Sequence, residues 1–395
     1  MKYRRIGVLT GVLVTTVALA AGAAGYRRAH PGRTAAATAA TAAAAAGRRP
    51  AATPAGGKTI RELAAGDDQT CALYTHGSVV CWGAARYDAP LGTADESPHR
   101  LAGVTGAVAV SVGDTHGCVL DGDGVVSCWG YCDPACRAGT GPLLFAKPTR
   151  VADVPRLSTI VADALGDTTC GVGAEDEELH CWGSMSASVT WFGDPVGPRL
   201  YHYGPELGGK GRFARGAHAG AVELMTSSMG ASCARFPGGL ARCWSDGMTD
   251  GEGKPHASLE APREPVARMA GGFLQGCFVL VSGKVECHST DGILRPPFAE
   301  LVTTAAAAGN AICATGRSGS LLCVRYAFEP RGDGNVARLQ RGATFEARAR
   351  DVGGPARAVV SGTHHFCVLR EDDAVYCWDE YGVADPVRVA LPAAD

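Results

Sequence analysis

Cysteine is the residue type in this chain with the most chemistry to offer, at 16 positions among 395. Fourteen form a series: Cys71 with Cys81, Cys118 with Cys128, Cys170 with Cys181, Cys233 with Cys243, Cys277 with Cys287, Cys313 with Cys323, and Cys367 with Cys377. Cys132 and Cys136, in "YCDPACRAG", stand outside it. They suit a redox or metal pair, or one more disulfide pinning a loop. The even total favours the disulfide, and no second ligand pair for zinc is evident. His364 and His365 could serve as a metal ligand or general base. "DGDG" at 121–124 resembles the start of a calcium loop but lacks the later ligands, and it sits at a turn. "RGD" at 331–333 lies in a Gly- and Asn-rich stretch that reads as an exposed loop. No metalloprotease helix motif, nucleophile elbow or phosphate-cradling loop is present. No catalytic residue, metal or cofactor is expected.

The elements that position these cysteines are hairpins. In "CALYTHGSVVCWG", a three-residue loop at Thr75-His76-Gly77 sets Tyr74 opposite Ser78, Leu73 opposite Val79 and Cys71 opposite Cys81. Such loops need a left-handed residue at the third place, which glycine adopts without strain. That place holds Gly77, Gly124, Gly239, Gly283 and Gly319 in five copies and Asp373 in a sixth. The Cys170 copy has one extra residue and needs an even loop. Opposed cysteines on antiparallel neighbours stand near disulfide separation. Side chains two apart share a face, so Leu73/Val79, Leu120/Val126, Val279/Val285 and Leu369/Val375 flank the cysteines with apolar pairs.

First cysteines follow one another at intervals of 47, 52, 63, 44, 36 and 54 residues. A period of 40 to 50 with short strands is a propeller signature. The expectation is an all-β, seven-bladed β-propeller with disulfide-stapled blades. A further repeated piece, "SPHRLAGV" (97–104), "KPTRVADV" (147–154) and "DPVRVALP" (385–392), reads as the strand that begins a blade. At the C-terminus no hairpin follows it. It is therefore expected to return to the first blade and close the ring with strands from both ends.

The 63-residue interval carries Trp191, Phe192, Tyr201, His202 and Tyr203. Aromatic residues on long propeller loops are good binding anchors, and Trp191, Phe192, Tyr201 and Tyr203 are the candidate binding residues. The same segment must also supply a strand of its blade.

The first 25 residues have a basic start, then an uncharged run from Ile6 to Gly25 ending in small residues. That is the layout of a secretory signal peptide. The run is also long enough for an uncleaved membrane anchor. Residues 26–57, rich in Ala and Thr, read as a flexible tether. Residues 58–395 form the propeller. The first 57 residues hold 8 of the 37 bases and none of the 39 acids, which leaves the remainder at a formal charge of −10. Such a domain is a poor phosphate binder, so nucleic acid is not an expected partner.

"GDDQTCALYTHGSVVCWG" (66–83), "GDTHGCVLDGDGVVSCWG" (113–130) and "GTHHFCVLREDDAVYCWD" (362–379) resemble the repeat of the regulator of chromosome condensation family, approximately Gly-x-x-His-x-x-Ala-Leu then Gly-x-Val-x-x-Trp-Gly. The resemblance spans roughly residues 58 to 395 and implies a seven-bladed propeller. It assigns His116 and His365 to the family's structural histidine. Trp82, Trp129, Trp182, Trp244 and Trp378 hold the tryptophan place, with His288 and Val324 substituting in two copies. The added cysteines are similar to a secreted bacterial branch of the repeat. The expected protein is an exported, monomeric binding module for a protein or glycan partner, extracytoplasmic or at the cell envelope. The rival readings are an enzyme acting on polysaccharide through carboxylates in the central channel, and a protein inhibitor.

Overall fold

A computed structural model describes the chain from Thr59 to Pro392, apart from residues 68, 84–96, 133–142, 153, 163–166, 185–200, 203–219, 228–230, 246–260, 273–274, 290–291, 327, 330–337, 340–346 and 380–384. The described residues form seven antiparallel meander sheets in chain order and a two-stranded ribbon, Phe328–Glu329 with Arg338–Leu339. The first strands are Ile60–Ala65, Ala107–Val112, Leu157–Ala162, Glu223–Ser227, Val266–Gly272, Val302–Ala308 and Ala356–Ser361. The second strands are Gln69–Tyr74, His116–Asp121, Asp167–Gly173, Ala231–Arg235, Gln275–Leu280, Ala311–Gly316 and His365–Arg370. The third are Val79–Gly83, Val126–Cys132, Leu179–Ser184, Ala241–Ser245, Val285–Ser289, Leu321–Arg325 and Val375–Asp379. Six sheets have a fourth strand: His99–Arg100, Leu143–Arg150, Tyr201–His202, Gly292–Leu294, Arg348–Arg350 and Val387–Arg388. Six complete four-stranded blades are thus present, where the repeat predicts seven. The fourth sheet has three strands among the described residues.

The hairpins take the expected register. Tyr74 N–H donates to the Ser78 carbonyl, and Cys71 faces Cys81. Antiparallel pairs alternate between hydrogen-bonded and closer non-bonded positions. Counting from the bonded Tyr74/Ser78 pair, Cys71/Cys81 falls on a close one, and the Cα atoms are 4.0 Å apart. Six disulfides repeat this geometry: Cys71–Cys81, Cys118–Cys128, Cys233–Cys243, Cys277–Cys287, Cys313–Cys323 and Cys367–Cys377. Cys170, opposite Cys181 in register, is also disulfide-bonded. Cys132 pairs through its backbone with Leu143, and Cys136 lies outside the described residues. The loop glycines have positive φ, as does Asp373 at 62°. In the Cys170 copy Gly173 pairs with Glu178 across an even loop, where Glu177 is left-handed.

The core lies between sheets, not within them. One face of the first hairpin (Cys71, Leu73, Val79, Cys81) packs with Val104, Val110, Val119 and Trp129 of the second repeat. Its other face (Ala72, Tyr74, Val80, Trp82) packs with Cys367, Leu369 and Val375 of the seventh. Both strands of the first hairpin are therefore apolar on both faces. The tryptophan of one repeat shares a cluster with the disulfide of the repeat before it: Trp129 with Cys71 and Cys81, Trp182 with Cys118 and Cys128, Trp378 with Cys313, and Trp82 with Cys367. Each staple is roofed by its neighbour.

The repeated piece with "LAGV" and "VADV" ends a blade instead of beginning one. His99–Arg100 pairs with the third strand of its own sheet, and Leu101 and Val104 then lead into the next. The C-terminal copy behaves alike: Val387 pairs with Cys377 and Arg388 with Tyr376. It completes the seventh sheet, and the expected strand exchange into the first sheet does not occur. Ile60–Ala65 already supplies that sheet's first strand.

First and seventh sheets meet face to face. At the hairpin ends of other pairs, the next sheet's first amide donates to the loop glycine's carbonyl: Ala107 to Gly77, Leu157 to Gly124, Val302 to Gly283, and Ala356 to Gly319. At the seventh–first junction the amide of Ile60 donates to Asp373 Oδ1 at 3.2 Å. Arg357 donates both to that oxygen, at 3.0 Å, and to the Ile60 carbonyl. Replacing Asp373 by Ala should cost about 2–3 kcal/mol, through loss of a charged acceptor and because alanine tolerates the left-handed backbone less well than aspartate. Asp373→Gly should cost about 1 kcal/mol less, because glycine keeps that backbone. Urea unfolding of both variants checks the order; an Ala variant as stable as the Gly variant would remove the conformational part of the argument.

Candidate functional site

Strand direction sorts the connections between two ends of the sheets. First-to-second turns and third-to-fourth connections open at one, the loop end. The tight hairpins and the fourth-to-first connections lie at the other, the hairpin end. Four long stretches of chain, 84–98, 133–142, 185–200 and 326–347, join a third strand to a fourth at the loop end, and one, 203–222, joins a fourth strand to the next first strand at the hairpin end. At the hairpin end, glycine turns abut the next sheet. A Cβ on Gly77 would lie 2.6 Å from Gly106, and one on Gly319 2.6 Å from Pro355.

At the loop end the turns Gly66-Asp67, Gly113-Asp114 and Gly362-Thr363 bring polar residues together. Their amides close tight turns, Gly66 onto Gln69, Gly113 onto His116 and Gly362 onto His365. His116 Nε2 is hydrogen-bonded to Thr169 Oγ1 of the next sheet at 2.6 Å, and that oxygen lies 3.5 Å from Cys118 Sγ. The same triad recurs across the seventh–first junction. His365 Nε2 bonds Thr70 Oγ1 at 2.6 Å, with Cys367 Sγ 3.5 Å from the hydroxyl. In the first sheet Gln69 takes the histidine's place and accepts from Trp129 Nε1 at 3.2 Å. The first strands exchange polar contacts as well. Glu62 Oε1 accepts from the Val110 amide, Glu223 Oε1 from Met269, and Thr304 Oγ1 from Val359. Burial raises the Glu62 carboxyl above its ordinary range, and the Val110 amide opposes that.

Burial also sets the histidines. It lowers His116 from 6.5 to about 4. His365 falls likewise to about 4, chiefly by burial, against the opposing pull of the Asp67 carbonyl and charge. Both imidazoles are neutral at pH 7 and hold sheets together, as the resemblance implied. His364, with 41% of its side chain exposed, stands 3.7 Å from Asp67 Oδ1. Unfolded imidazoles titrate near 6.5. Between that value and 4 the unfolded chain binds more protons. The stability these groups contribute is full above about pH 6.5, falls as pH drops, and is lost once pH passes the folded value of about 4. His116→Gln, copying Gln69, should flatten the fall of Tm between those limits. Thermal melts across that range test this, and an unchanged slope would refute it.

Of the candidate binding residues, Tyr201 begins a fourth strand, its backbone opposite Cys181. Trp191, Phe192 and Tyr203 lie outside the described residues, as does "RGD". "DGDG" is turn chemistry: Asp121 Oδ1 accepts from the amides of Asp123 and Val125. Among the described residues no three His, Cys, Asp or Glu side chains gather as a metal site, and no helix is long and apolar enough to cross a membrane. Sequence reasoning missed Thr70 and Thr169. The available signal was a hydroxyl residue directly before a first cysteine.

No family model and no curated protein matches the chain. Solved structures resemble it in fold. Prp20p from Saccharomyces cerevisiae is 14% identical with a TM-score of 0.46, covering 85% of this chain and 78% of its own. The CRINKLY WD40 ectodomain of the Arabidopsis thaliana receptor kinase ACR4 is 17% identical with a TM-score of 0.49, covering 85% and 100%. PorZ, a surface component of the type-IX secretion system of Porphyromonas gingivalis, is 9% identical with a TM-score of 0.46, covering 86% and 39%. At these values they carry no statement of partner or activity. The chain is a β-propeller whose repeats resemble those of the regulator of chromosome condensation family. Its buried disulfides belong to an oxidising environment.

Proposed function

We propose that the chain is an exported, non-enzymatic binding module: residues 1–25 direct export or anchor it, 26–57 tether it, and 58–395 form a closed seven-bladed ring. Its loop end takes a protein or glycan partner. The observation that carries this reading is the division of labour between the ends. The hairpin end is fixed by glycine turns locked onto the next sheet. The loop end carries four of the long connections, and these can change without disturbing the staples. Closure is supported by the seventh–first junction, which reuses the His–Thr–Sγ triad of an internal junction. The domain's charge of −10 favours a partner with basic character.

The experiment is a pull-down with the full chain, folded under oxidising conditions, from envelope and medium of its native source. A saturable, stoichiometric partner is expected. Trp191→Ala with Tyr203→Ala should weaken its capture about tenfold or more, with an unchanged melt. A partner captured equally by the double variant would move the site off this segment. No partner under any condition would count against the binding module.

A further inference from the structure

The second site lies at the opposite end from the one proposed above and does not depend on it. A cleft of about 450 Å³ opens at the hairpin end of the fifth sheet, between its hairpin at Val281–Gly283 and the connection 295–301 into the sixth. That volume lies within the range of small-ligand pockets. Its floor is apolar: Leu280, Val285, Pro296 and Phe298. Three half-buried carboxylates line it, Glu264, Glu286 and Glu300.

These acids are not equivalent. Glu286 is committed to Arg295 at 2.9 Å. Glu300 accepts from the Ser318 amide and from the hydroxyls of Ser318 and Ser320, and those hydrogen bonds, Ser320 first, hold its carboxyl below the usual range. Glu264 accepts from the Ser282 amide through one oxygen at 3.2 Å, and among the described residues no donor bonds the other. Of the two lining cations, Arg295 is neutralised by Glu286, and Lys284 sits exposed at the rim. The lining thus keeps an excess of negative charge.

A second, independent observation concerns exposed apolar side chains. The large exposed ones among the described residues are Val222, Leu240, Val281, Ile293, Leu301 and Val387. Leu301 lines the cleft, Val281 belongs to the hairpin that walls it, and Ile293 lies two residues before its lining Arg295. Val222 and Leu240 belong to the hairpin end of the adjoining fourth sheet. Scattered exposed leucines and valines are ordinary, but a concentration around one concave site marks an interaction surface.

We propose that this cleft seats one basic side chain of a partner polypeptide, flanked in that partner by apolar residues. Glu264 and Glu300 supply the counter-charge, Phe298 and Pro296 support the aliphatic stem, and Val281 and Leu301 receive the flanking apolar groups. The complementarity is of charge and of apolar area together. A basic stem lies on apolar surface while its head reaches a carboxylate.

The test is an amide chemical-shift titration of the intact protein with the peptide acetyl-Leu-Arg-Leu-amide and its citrulline counterpart, which keeps the shape and loses the charge. Saturable shifts at Gly283, Ala299 and Leu301 are expected at about millimolar arginine peptide. The citrulline peptide and the Glu264→Gln variant should each bind about tenfold more weakly. Trp191→Ala should leave the titration unchanged. Equal binding of the two peptides, shifts confined to the loop end, or no saturable shift would each overturn the proposal. The peptide contrast needs no variant, so a poorly folding Glu264→Gln does not blunt it.

Discussion

Complete reduction of the hairpin disulfides is expected to unfold the protein, not merely loosen it. Each staple closes a short loop, worth about 2–3 kcal/mol in the chain-entropy account. Six such terms, about 12–18 kcal/mol together, match or exceed the 5–15 kcal/mol of net stability typical of a folded domain. The half-cystines themselves are almost fully buried, between 0 and 1% exposed at Cys71, Cys81, Cys118, Cys128, Cys277, Cys287 and Cys313. Several are roofed by the next repeat's tryptophan. Two consequences follow from that burial. Reductant alone should act only as fast as the sheets open. Reductant with moderate denaturant should remove all staples in one cooperative step, without partly reduced, folded species. Mass measurement after alkylation, taken alongside circular dichroism, reads both. A fully alkylated protein that still melts cooperatively would show that packing between sheets suffices without the staples.

The second large effect is expected from a single methyl group. At the loop end the backbones of neighbouring sheets approach so closely that a Cβ on Gly362 would stand 1.8 Å from the Gly66 carbonyl oxygen and 2.7 Å from that of Asp67. A Cβ on Gly66 would stand 1.9 Å from the Gly113 oxygen. These obstacles are backbone atoms and cannot rotate away. Gly362→Ala must push the seventh and first sheets apart, against the His365–Thr70 bond and the cluster containing Trp82. A loss of about 3 kcal/mol or more is expected, at the upper end of overpacking costs. Gly103→Ala is the control. Gly103 has φ of +80° but nothing within 4 Å, so only the backbone term remains, about 1 kcal/mol. Denaturant unfolding of the pair decides the matter: equal losses would mean that the close approach does not constrain the junction.

The hairpins were fully legible in the sequence, because three local signals coincide on them: the cysteine spacing, the loop glycine and alternating apolar residues. Asp373 at the left-handed place was legible for the same reason. The phase of the repeat was not. Periodicity gives the spacing of copies but not where one blade ends, and "LAGV" was assigned to the start of a blade. Leu101 and Val104 are buried against the following sheet, so their apolar character pointed forward although the strand before them pairs backward. Junction chemistry was also out of reach. Thr169 and His116 lie 53 residues apart, and no local pattern joins them. The aromatic segment around Trp191 stood out by composition, yet composition alone does not separate a binding loop from a strand connection, and only Tyr201 is placed, on a strand.

Because every apolar interface lies between sheets, the order in which the chain is made acquires a meaning. Each repeat finds a neighbour as soon as the next one is synthesised, with one exception. Tyr74, Val80 and Trp82 face the seventh repeat, whose Asp373 is 313 residues downstream of Ile60. That face of the earliest sheet stays uncovered until the seventh repeat exists. Such long-range pairings form late, and uncovered apolar faces invite association with other chains. The newborn protein is thus most vulnerable in its first repeat, whose outer face waits longest for a partner.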